Sequence, residues 1–314
     1  MAVRTGVIGT GRWASDTHAP ALAAHPDIEF AGVWGRDHAK ARRLAEPHGV
    51  TAFLTLDELL AAVDAVVLTV PPTVQPEIAV RAARAGTHML LEKPLALDLP
   101  AARRIRTAAE EHDVAGLVFL TSRHRPEQRA WIAAARERGG WHSGHASWLA
   151  SLYDPAAARD ATDWRRAKGA LWDVGPHALS VALGVLGPVG EVVARPGAGD
   201  TVHLVLQHGV LQHGVLQHAP GPTSTMTLSL TAPIQQSLFT AVGTAGALPM
   251  PTPLSTVETA AATALTDLAA MAATGERAHA TDLRFGEEIV EVLTAAERSL
   301  AHGRPVTCAE VRDG

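Results

Sequence analysis

The chain has 314 residues, a formal net charge of −5 and a sequence pI near 6.3. This length predicts two domains, each large enough to bury a hydrophobic core. The chain is not basic overall, which argues against nucleic acid as a partner. The single cysteine, Cys308, excludes an internal disulfide framework and indicates a reducing compartment.

Membrane insertion is not expected from the sequence. The chain does not open with a charged segment followed by an apolar one, and apolar runs such as 66–70 are too short to cross a bilayer. We therefore expect a cytoplasmic protein without a membrane partner.

A short strand, a glycine turn and a helix follow one another near the N-terminus. Residues 4–8 are strand-like, and a second strand at 28–34 completes a βαβ unit. Gly9 permits the tight turn, Gly11 leaves the backbone open to a pyrophosphate, and Ala14 lets the helix pack on the strand. The phosphate would lie at the helix N-terminus, where backbone N–H groups lack partners. The residues of this turn that we expect to contact a dinucleotide are Gly9, Thr10, Gly11, Arg12 and Trp13.

The residues at the end of the second strand indicate which nicotinamide cofactor the protein uses. An NAD site usually has Asp or Glu here, which accepts hydrogen bonds from the ribose 2′-hydroxyl. This chain has Gly35 at that position and Arg36 beside it, and a guanidinium suits a 2′-phosphate. We therefore predict NADP rather than NAD. The alternative is that Arg36 is a solvated loop residue and that Asp37 only caps a helix at 39–47.

The first 120 residues alternate apolar runs with helical patterns, which predicts a parallel sheet covered on both faces. Thr55 and Glu58 have the spacing of a capping box. The apolar run 65–70 stops at Pro71-Pro72, at the carboxyl end of a strand, where ligands bind in open α/β sheets. We add the residues at this strand end, Thr69, Val70 and Pro71, to the expected cofactor contacts. Further predicted elements are helices at 76–85 and 100–112 and strands at 88–91 and 114–120.

The second half of the chain differs in residue composition and in hydrophobic pattern, and we place the domain boundary between residues 120 and 121. No Asp, Glu, Lys or Arg occurs from 201 to 257, and 225–231 alternates with period two. This pattern predicts antiparallel strands with one apolar face. An uncharged face of this size is covered by a helix or by another subunit, and we expect a homodimer or higher homo-oligomer. The patterns at 256–273 and 283–301 predict two helices. We expect these helices either to pack on the sheet or to return to the first domain.

Residues 205–219 contain the unit Val-Leu-Gln-His three times, with histidines five residues apart. A spacing of five alternates faces on a strand and rotates by about 140° on a helix, so no face collects all three histidines. We predict a local duplication that lengthens a hairpin, with no chemical role, and no metal site.

Three motifs together resemble one enzyme family. They are the glycine turn, Glu92-Lys93-Pro94, and Asp173-Val-Gly-Pro-His177 preceded by Asp163-Trp164-Arg165. In this order they resemble the family of glucose-fructose oxidoreductase, inositol dehydrogenase and MocA. The resemblance implies an NAD(P)-binding Rossmann domain at 1–120. It also implies an α+β substrate-binding and oligomerisation domain at 121–314, built on an open, mostly antiparallel sheet. It further implies oxidation of a secondary alcohol or reduction of a ketone.

The residues of these motifs suit hydride transfer, which needs a group that takes or gives the hydroxyl proton. Lys93 follows a buried strand, and Pro94 fixes its turn. Asp173 and His177 share one face if the segment is helical, with Asp173 capping a strand-to-helix entry and His177 facing a cleft. The spacing leaves open whether Lys93 or His177 carries the proton. The structural alternatives are a surface lysine, an N-cap aspartate and a core histidine.

The chain also departs from the family pattern. After Pro72 the family usually has Asn and, two residues on, His; here Thr73 and Gln75 occupy these positions. Trp172 lies where the family is commonly glycine-rich, which predicts a narrower pocket. The further candidates are Glu92, Trp13, Trp164 and Arg165 for the cofactor, and Arg123, Tyr153 and Trp172 for the substrate. Core packing is the alternative for the tryptophans Trp13 and Trp164, and solvation is the alternative for Arg123.

We therefore predict an NADP-dependent oxidoreductase that acts on a sugar, a polyol or a related cyclic compound, with a small molecule as its substrate. One alternative is a cofactor-sensing regulator without turnover. Lys93, Asp173 and His177 speak against it, because a sensor does not need them. Another alternative is reduction of a carbon–nitrogen double bond or a tetrapyrrole on the same scaffold.

Overall fold

The computed structural model describes residues 2–152, 163–212, 215–217 and 221–314. The chain divides into two compact units, Met1–Pro126 with Ser255–Glu287, and Glu127–Leu254 with Glu288–Gly314. This division differs from the single boundary predicted at residue 120, because the segment 255–287 packs with the first unit. Of the two outcomes expected for the C-terminal helices, return to the first domain therefore holds for this segment.

The first unit contains a six-stranded parallel sheet. Its strands are β1 (Val3–Ile8), β2 (Ile28–Trp34), β3 (Thr51–Ala52), β4 (Ala65–Leu68), β5 (His88–Glu92) and β6 (Gly116–Phe119). Its helices up to residue 126 are α1 (Ala19–Ala24), α2 (His38–Ala45), α3 (Leu56–Ala62), α4 (Gln75–Arg84), α5 (Leu99–Glu111) and α6 (Thr121–His124). A π-helical turn, Ala14–His18, precedes α1, and a 3₁₀ turn, Glu46–His48, follows α2. The strand order β3-β2-β1-β4-β5-β6 is that of a Rossmann fold, so the predicted doubly wound sheet is confirmed.

Local sequence signals set the bounds of several of these elements. Thr55 and Glu58 form the predicted capping box at the start of α3. Gly86, with φ of 74°, takes up the left-handed conformation that follows α4. The four residues of β4 are all at most 1% exposed, as expected for a central strand with helices on both faces.

The remainder of the chain forms a second set of elements. In chain order they are α7 (Pro126–Arg138), β7 (Trp141–Ser151), α8 (Asp163–Asp173), α9 (Gly175–Leu186), β8 (Val189–Pro196), β9 (Val202–His208), β10 (Val210–Gln212), β11 (Val215–Gln217), β12 (Thr223–Ser229), β13 (Thr231–Gly243), β14 (Gly246–Pro249), α10 (Val257–Thr274), α11 (Leu283–His302), β15 (Val306–Thr307) and α12 (Cys308–Asp313). The boundary between the two units falls within α11. α8 is broken at Gly169, where φ is 61°.

The second unit contains a seven-stranded sheet in the order β14-β13-β7-β12-β9-β8-β15. All neighbouring strands are antiparallel except β12 and β7, which confirms the predicted mostly antiparallel sheet. The alternation predicted around 225–231 is observed in β12, where Ser224, Met226 and Leu228 are at most 1% exposed. Helix α9 packs on the buried face of this sheet, against β7, β12 and β13.

Helix α10 belongs to the core of the first unit. Ala260, Ala264, Leu265 and Leu268 on this helix are 0% exposed and join the apolar cluster around β1, β5 and β6. Ala260, Ala264 and Leu268 are four residues apart, and Leu265 lies three residues before Leu268, so the four residues form one apolar face of the helix.

The repeat region and one apolar stretch complete the fold. β10 and β11, which carry the second and third copies of the repeat, pair antiparallel as a hairpin. The repeat residues 213, 214, 218 and 219 lie outside the described residues. Among the described residues, one stretch, Trp164–Leu186, is long and apolar enough to cross a membrane by composition, with a mean hydropathy of 1.2. Of the most apolar 18-residue window in this stretch, 83% is buried within the protein, as is typical of core helices, and the stretch covers α8 and α9.

Candidate active site

The glycine turn after β1 lies where the strand order of the first sheet reverses, between β1 and β4. Gly9 has φ of 120°, and its N–H donates to the carbonyl oxygen of Trp34 on β2 at 2.8 Å. A Cβ atom on Gly9 would lie 2.4 Å from Oγ1 of Thr69, just beyond β4. The turn is therefore held against the ends of β2 and β4, at the switch point where open α/β sheets bind ligands.

Gly11 is the open position of the same turn. It is exposed, and a Cβ atom built on it would meet no atom within 4 Å. The π-helical turn Ala14–His18 starts three residues later and continues into α1. The strained glycine, the open glycine and the helix start together fit the pyrophosphate of a dinucleotide.

Arg12 and Trp13 lie on the exposed side of this turn. The Arg12 Nε donates to Oδ2 of Asp16 at 3.0 Å. Hydrogen bonds from Ser15 and Arg12 lower the pKa of the Asp16 carboxyl. Trp13 is 38% exposed, so the core-packing alternative for this tryptophan is wrong.

Close packing explains why a glycine, Gly35, follows β2. Gly35 is buried, and a Cβ atom at this position would lie 2.6 Å from Cγ2 of Thr10. An acidic side chain at residue 35 would therefore displace Thr10. Arg36 is exposed and has no hydrogen-bond or ion-pair partner within the described part of the chain. Asp37 accepts from the backbone N–H of Lys40 at 3.1 Å and caps α2, as the alternative interpretation proposed for it.

The carboxyl ends of β1, β4 and β5 bring further predicted residues to one edge of the sheet. Ile8 pairs with Leu68, and Leu68 pairs with Leu91. Gly9, Thr69 and Glu92 therefore follow at one level on three neighbouring strands, and Lys93 lies one residue beyond. The Thr69 N–H and Oγ1 both donate to the Ile8 carbonyl oxygen, at 2.8 and 3.0 Å. Val70 is half-buried and Pro71 is exposed at the same edge.

The surroundings of Glu92 contain His18, which the sequence did not assign to the site, and Gln75, which the sequence marked only as a departure from the family pattern. Oε1 of the buried Glu92 lies 2.9 Å from Nε2 of His18, and His18 is 0% exposed. The Gln75 Nε2 donates to the Glu92 carbonyl oxygen at 2.8 Å, and Gln75 is also 0% exposed. The sequence signal that could have identified His18 and Gln75 is a polar residue on the otherwise apolar face of a helix. Lys93 is half-buried.

Asp173 and its neighbours belong to the second unit. Oδ2 of Asp173 accepts from Nε of Arg165 at 3.0 Å, and Asp173 is 5% exposed. The Arg165 guanidinium also lies 4.8 Å from the ring centroid of Trp164, which is buried. The predicted capping role of Asp173 is wrong: Asp173 ends α8, and the N-cap of α9 is Val174, without a side-chain cap. The predicted strand-to-helix entry is accordingly a junction of two helices.

His177 lies in the first turn of α9 and is half-buried. Its carbonyl oxygen accepts from Oγ of Ser180 at 2.8 Å. Trp172 is 1% exposed, and the Lys168 Nζ lies 4.9 Å from its ring centroid while donating to Glu297 at 2.7 Å. Trp172 therefore contributes to the core of the second unit, next to the ion pair of Lys168 and Glu297.

The remaining substrate candidates have different outcomes. Arg123 is 8% exposed, which excludes the solvated alternative. Its Nη2 donates to the Ala280 carbonyl oxygen at 3.1 Å, and its guanidinium lies 5.1 Å from the ring centroid of Phe285. Tyr153 lies outside the described residues. Within the described ranges, no group of three or more His, Cys, Asp or Glu is placed to hold a metal ion.

Comparison with known proteins agrees with this geometry. Residues 3–120 match the model of the GFO_IDH_MocA family, described as an oxidoreductase family with an NAD-binding Rossmann fold. The dTDP-3,4-didehydro-2,6-dideoxy-alpha-D-glucose 3-reductase of Actinomadura kijaniata is 35% identical over 40% of this chain and 39% of its own length. The UDP-N-acetylglucosamine 3-dehydrogenase of Acidithiobacillus ferrooxidans is 38% identical over 35% of this chain and 34% of its own length. The chain thus aligns with well under half of each of these two relatives.

A solved structure extends the similarity of fold to almost the whole chain. GenD2 from gentamicin A biosynthesis, in complex with NAD, superposes with a TM-score of 0.81 at 24% identity, over 98% of this chain and 96% of its own. The first unit is thus of the dinucleotide-binding Rossmann class. Residues 3–120 are thus similar to the glucose-fructose oxidoreductase, inositol dehydrogenase and MocA family of oxidoreductases, and two of the three sequence motifs, the glycine turn and Glu92-Lys93-Pro94, lie in this matched range.

Proposed function

We propose that this chain is an NADP-dependent oxidoreductase that transfers a hydride between nicotinamide and a secondary alcohol or ketone of a sugar or related cyclic compound. The observation that carries the proposal is the shared edge of the parallel sheet. The glycine turn, Thr69 and Lys93 follow neighbouring strands there at almost the same level. A dinucleotide on this edge places a proton-transferring lysine two strands, about 10 Å, from the pyrophosphate turn.

The names of the two curated relatives support a sugar substrate. Each names a nucleotide-linked sugar and the carbon 3 position of its ring. Nucleotide-linked sugars with a hydroxyl or a ketone at carbon 3 are therefore the first substrates to test. Keto sugars, cyclic ketones and polyol-derived ketones follow.

The choice of NADP is supported by Gly35 and Arg36. An acid at residue 35 would need Thr10 to move, since their carbon atoms would be 2.6 Å apart. Arg36 is exposed and has no partner among the described residues, so its guanidinium can bind a phosphate through two parallel hydrogen bonds. When bound, the cofactor supplies or accepts the hydride. The residues proposed to hold it are Gly9, Thr10, Gly11, Arg12, Trp13, Gly35, Arg36, Thr69, Val70, Pro71, Glu92, Lys93, Trp164 and Arg165.

The protein's own residues then handle the hydroxyl proton. Lys93 and His177 are the proposed proton carriers, because ammonium and imidazole both donate hydrogen bonds to an alcohol or ketone oxygen. Asp173 is the proposed supporting carboxylate, and Arg165, bonded to it at 3.0 Å, fixes its orientation. Arg123 and Tyr153 remain proposed substrate contacts. Trp172 would shape the pocket through packing, since it is buried.

The outer face of the second sheet is the proposed contact between subunits. Val205 and Leu238 are 47% and 51% exposed on this face. The cross-strand register from β9 through β12 and β7 to β13 places them on the same side. No charged residue occurs between 201 and 257, so nothing in that segment opposes burial against a second copy. We place this homodimer, or a higher homo-oligomer, in the cytoplasm.

The test measures NADPH and NADH oxidation against the substrate panel, with binding of each cofactor measured separately by fluorescence. We expect NADPH turnover with a keto sugar and loss of turnover in Lys93→Ala and His177→Ala. Arg36→Ala should weaken NADPH binding roughly 10- to 100-fold, the cost of losing hydrogen bonds to a charged group, and leave NADH binding unchanged. Arg104→Ala, at an exposed position on α5, is the matched control.

The outcomes separate the alternatives. If Arg36→Ala weakens both cofactors equally, the assignment of NADP is wrong. Turnover of cyclic imines instead of ketones would move the reaction to carbon–nitrogen bonds. Tight NADPH binding without turnover of any panel member, in a protein whose Lys93→Ala variant behaves identically, would favour the sensor over the enzyme.

A further inference from the structure

Gln75, the first residue of α4, contacts the backbone on both sides of Lys93. Its Nε2 lies 2.8 Å from the carbonyl oxygen of Glu92, 3.2 Å from that of Pro94 and 3.1 Å from that of Leu95. All three partners are acceptors, so the amide nitrogen, not the amide oxygen, must face them. Gln75 is fully buried, so water does not compete for these bonds.

A second buried group holds the same turn from the side chain of Glu92. One carboxylate oxygen lies 2.9 Å from Nε2 of His18, and the other accepts from the Lys93 backbone N–H at 3.3 Å. The His18 ring packs edge-on against Phe119, with ring centroids 5.0 Å apart. The backbone around Lys93 is therefore fixed by α4 on one side and by the helix of the glycine turn on the other.

We propose that Gln75 is a positioning residue for Lys93, with the His18–Glu92 pair as its counterpart. The proposal rests on the proposed function, in which Lys93 exchanges a proton with the substrate. A lysine side chain has four rotatable bonds, so its nitrogen is placed only if its own backbone is fixed. A misplacement of about 1 Å at a reacting group can cost on the order of 10²-fold in rate.

The rival interpretation is that Gln75 is an ordinary buried residue whose loss lowers stability alone. The two interpretations differ in what a substitution does to Lys93. Gln75→Met keeps the length and volume of the side chain and removes both N–H donors. Gln75→His keeps one ring N–H donor, so it is the conservative variant.

The chain is well suited to observing Lys93 directly, because it contains only three lysines, Lys40, Lys93 and Lys168. Reductive methylation with ¹³C-formaldehyde keeps the charge and gives one methyl signal set for each lysine in a ¹H–¹³C spectrum. Lys93→Arg identifies the Lys93 signal. We expect Gln75→Met to shift and broaden this signal, Gln75→His to restore it, and the Lys40 and Lys168 signals to stay in place.

Kinetics give the second measurement, with whichever panel substrate turns over. We expect Gln75→Met to lower kcat by about 10²-fold with cofactor binding within about twofold of wild type, and to change the pH profile of kcat. Gln75→His should recover most of the loss. If no substrate turns over, the proposed function fails, but the methyl spectrum still decides the placement of Lys93.

Two results would overturn the positioning role. One is a Lys93 signal in folded Gln75→Met that coincides with that of the wild type. The other is a fall in thermal stability with kcat and its pH profile unchanged. Should Gln75→Met fail to fold, Gln75→Asn, whose shorter amide cannot reach all three carbonyls, is judged by the same spectrum and the same criteria.

Discussion

His208 should make the stability of the protein depend on pH. It is 0% exposed at the end of β9, with Nδ1 2.8 Å from the Gly187 carbonyl oxygen and Nε2 2.8 Å from Oγ of Ser224. Because a carbonyl only accepts, Nδ1 carries the proton and Nε2 accepts from the serine hydroxyl, so the neutral ring satisfies both contacts. Burial lowers the pKa of His208 from 6.5 to about 4.

The sign and size of the effect follow from this difference in pKa. The unfolded chain binds a proton to His208 near pH 6.5, whereas the folded chain does so only near pH 4. The contribution of His208 to the free energy of unfolding therefore falls as the pH drops through this window and no longer changes below it. A difference of 2.5 pH units corresponds to about 3 kcal/mol in total, of which about 2 kcal/mol is lost between pH 7 and pH 5.

Urea unfolding of the wild type and His208→Gln at pH 7 and pH 5 measures this contribution, because glutamine does not titrate. The wild type should lose about 2 kcal/mol more than the variant between the two values. Other titrating groups, such as the salt-bridged Glu310, are common to both proteins and cancel. His203→Gln, at an exposed position on the same strand, should behave as the wild type does. Equal losses in the wild type and His208→Gln would refute the reasoning.

Three further predictions concern the cofactor turn and the sheet face. Gly9→Ala should lower stability by about 1–3 kcal/mol, because φ is 120° and the new Cβ meets Thr69 Oγ1 at 2.4 Å. Gly11→Ala has room for its Cβ and should keep the melting temperature while weakening NADPH binding in a fluorescence titration. Wild-type affinity in Gly11→Ala would contradict the proposed cradle. Leu238→Asp should convert the dimer to monomer in light scattering, whereas Leu254→Asp, at a 91% exposed position, should not. A monomeric wild type would exclude the proposed interface.

Much of the first unit was predictable from local signals. The glycine turn, the capping box at Thr55 and the buried run of β4 each act over a few residues, so their structural meaning is contained in the sequence nearby. The period-two pattern of β12 likewise predicted one buried face. These features led to the correct sheet types and to the family whose model matches residues 3–120.

The features that local signals left open or misjudged depend on contacts between distant parts of the chain. The helical pattern of α10 is compatible with either unit, and packing on the first unit's core decided between them. Asp173 has a residue type typical of a helix cap, yet its partner is Arg165, eight residues earlier, across the break at Gly169. Spacing along the chain does not reveal such a break.

The sequence by itself determined the strand–turn–helix succession, the small residues that a dinucleotide requires and the residue types that suit proton transfer. Only the tertiary structure decided that Gln75 and His18 surround the turn of Lys93, 18 and 75 residues away along the chain. The physical reason is that a buried polar side chain must find a partner wherever the fold provides one. Its partner is therefore set by which strands and helices become neighbours, and that depends on the packing of the whole unit.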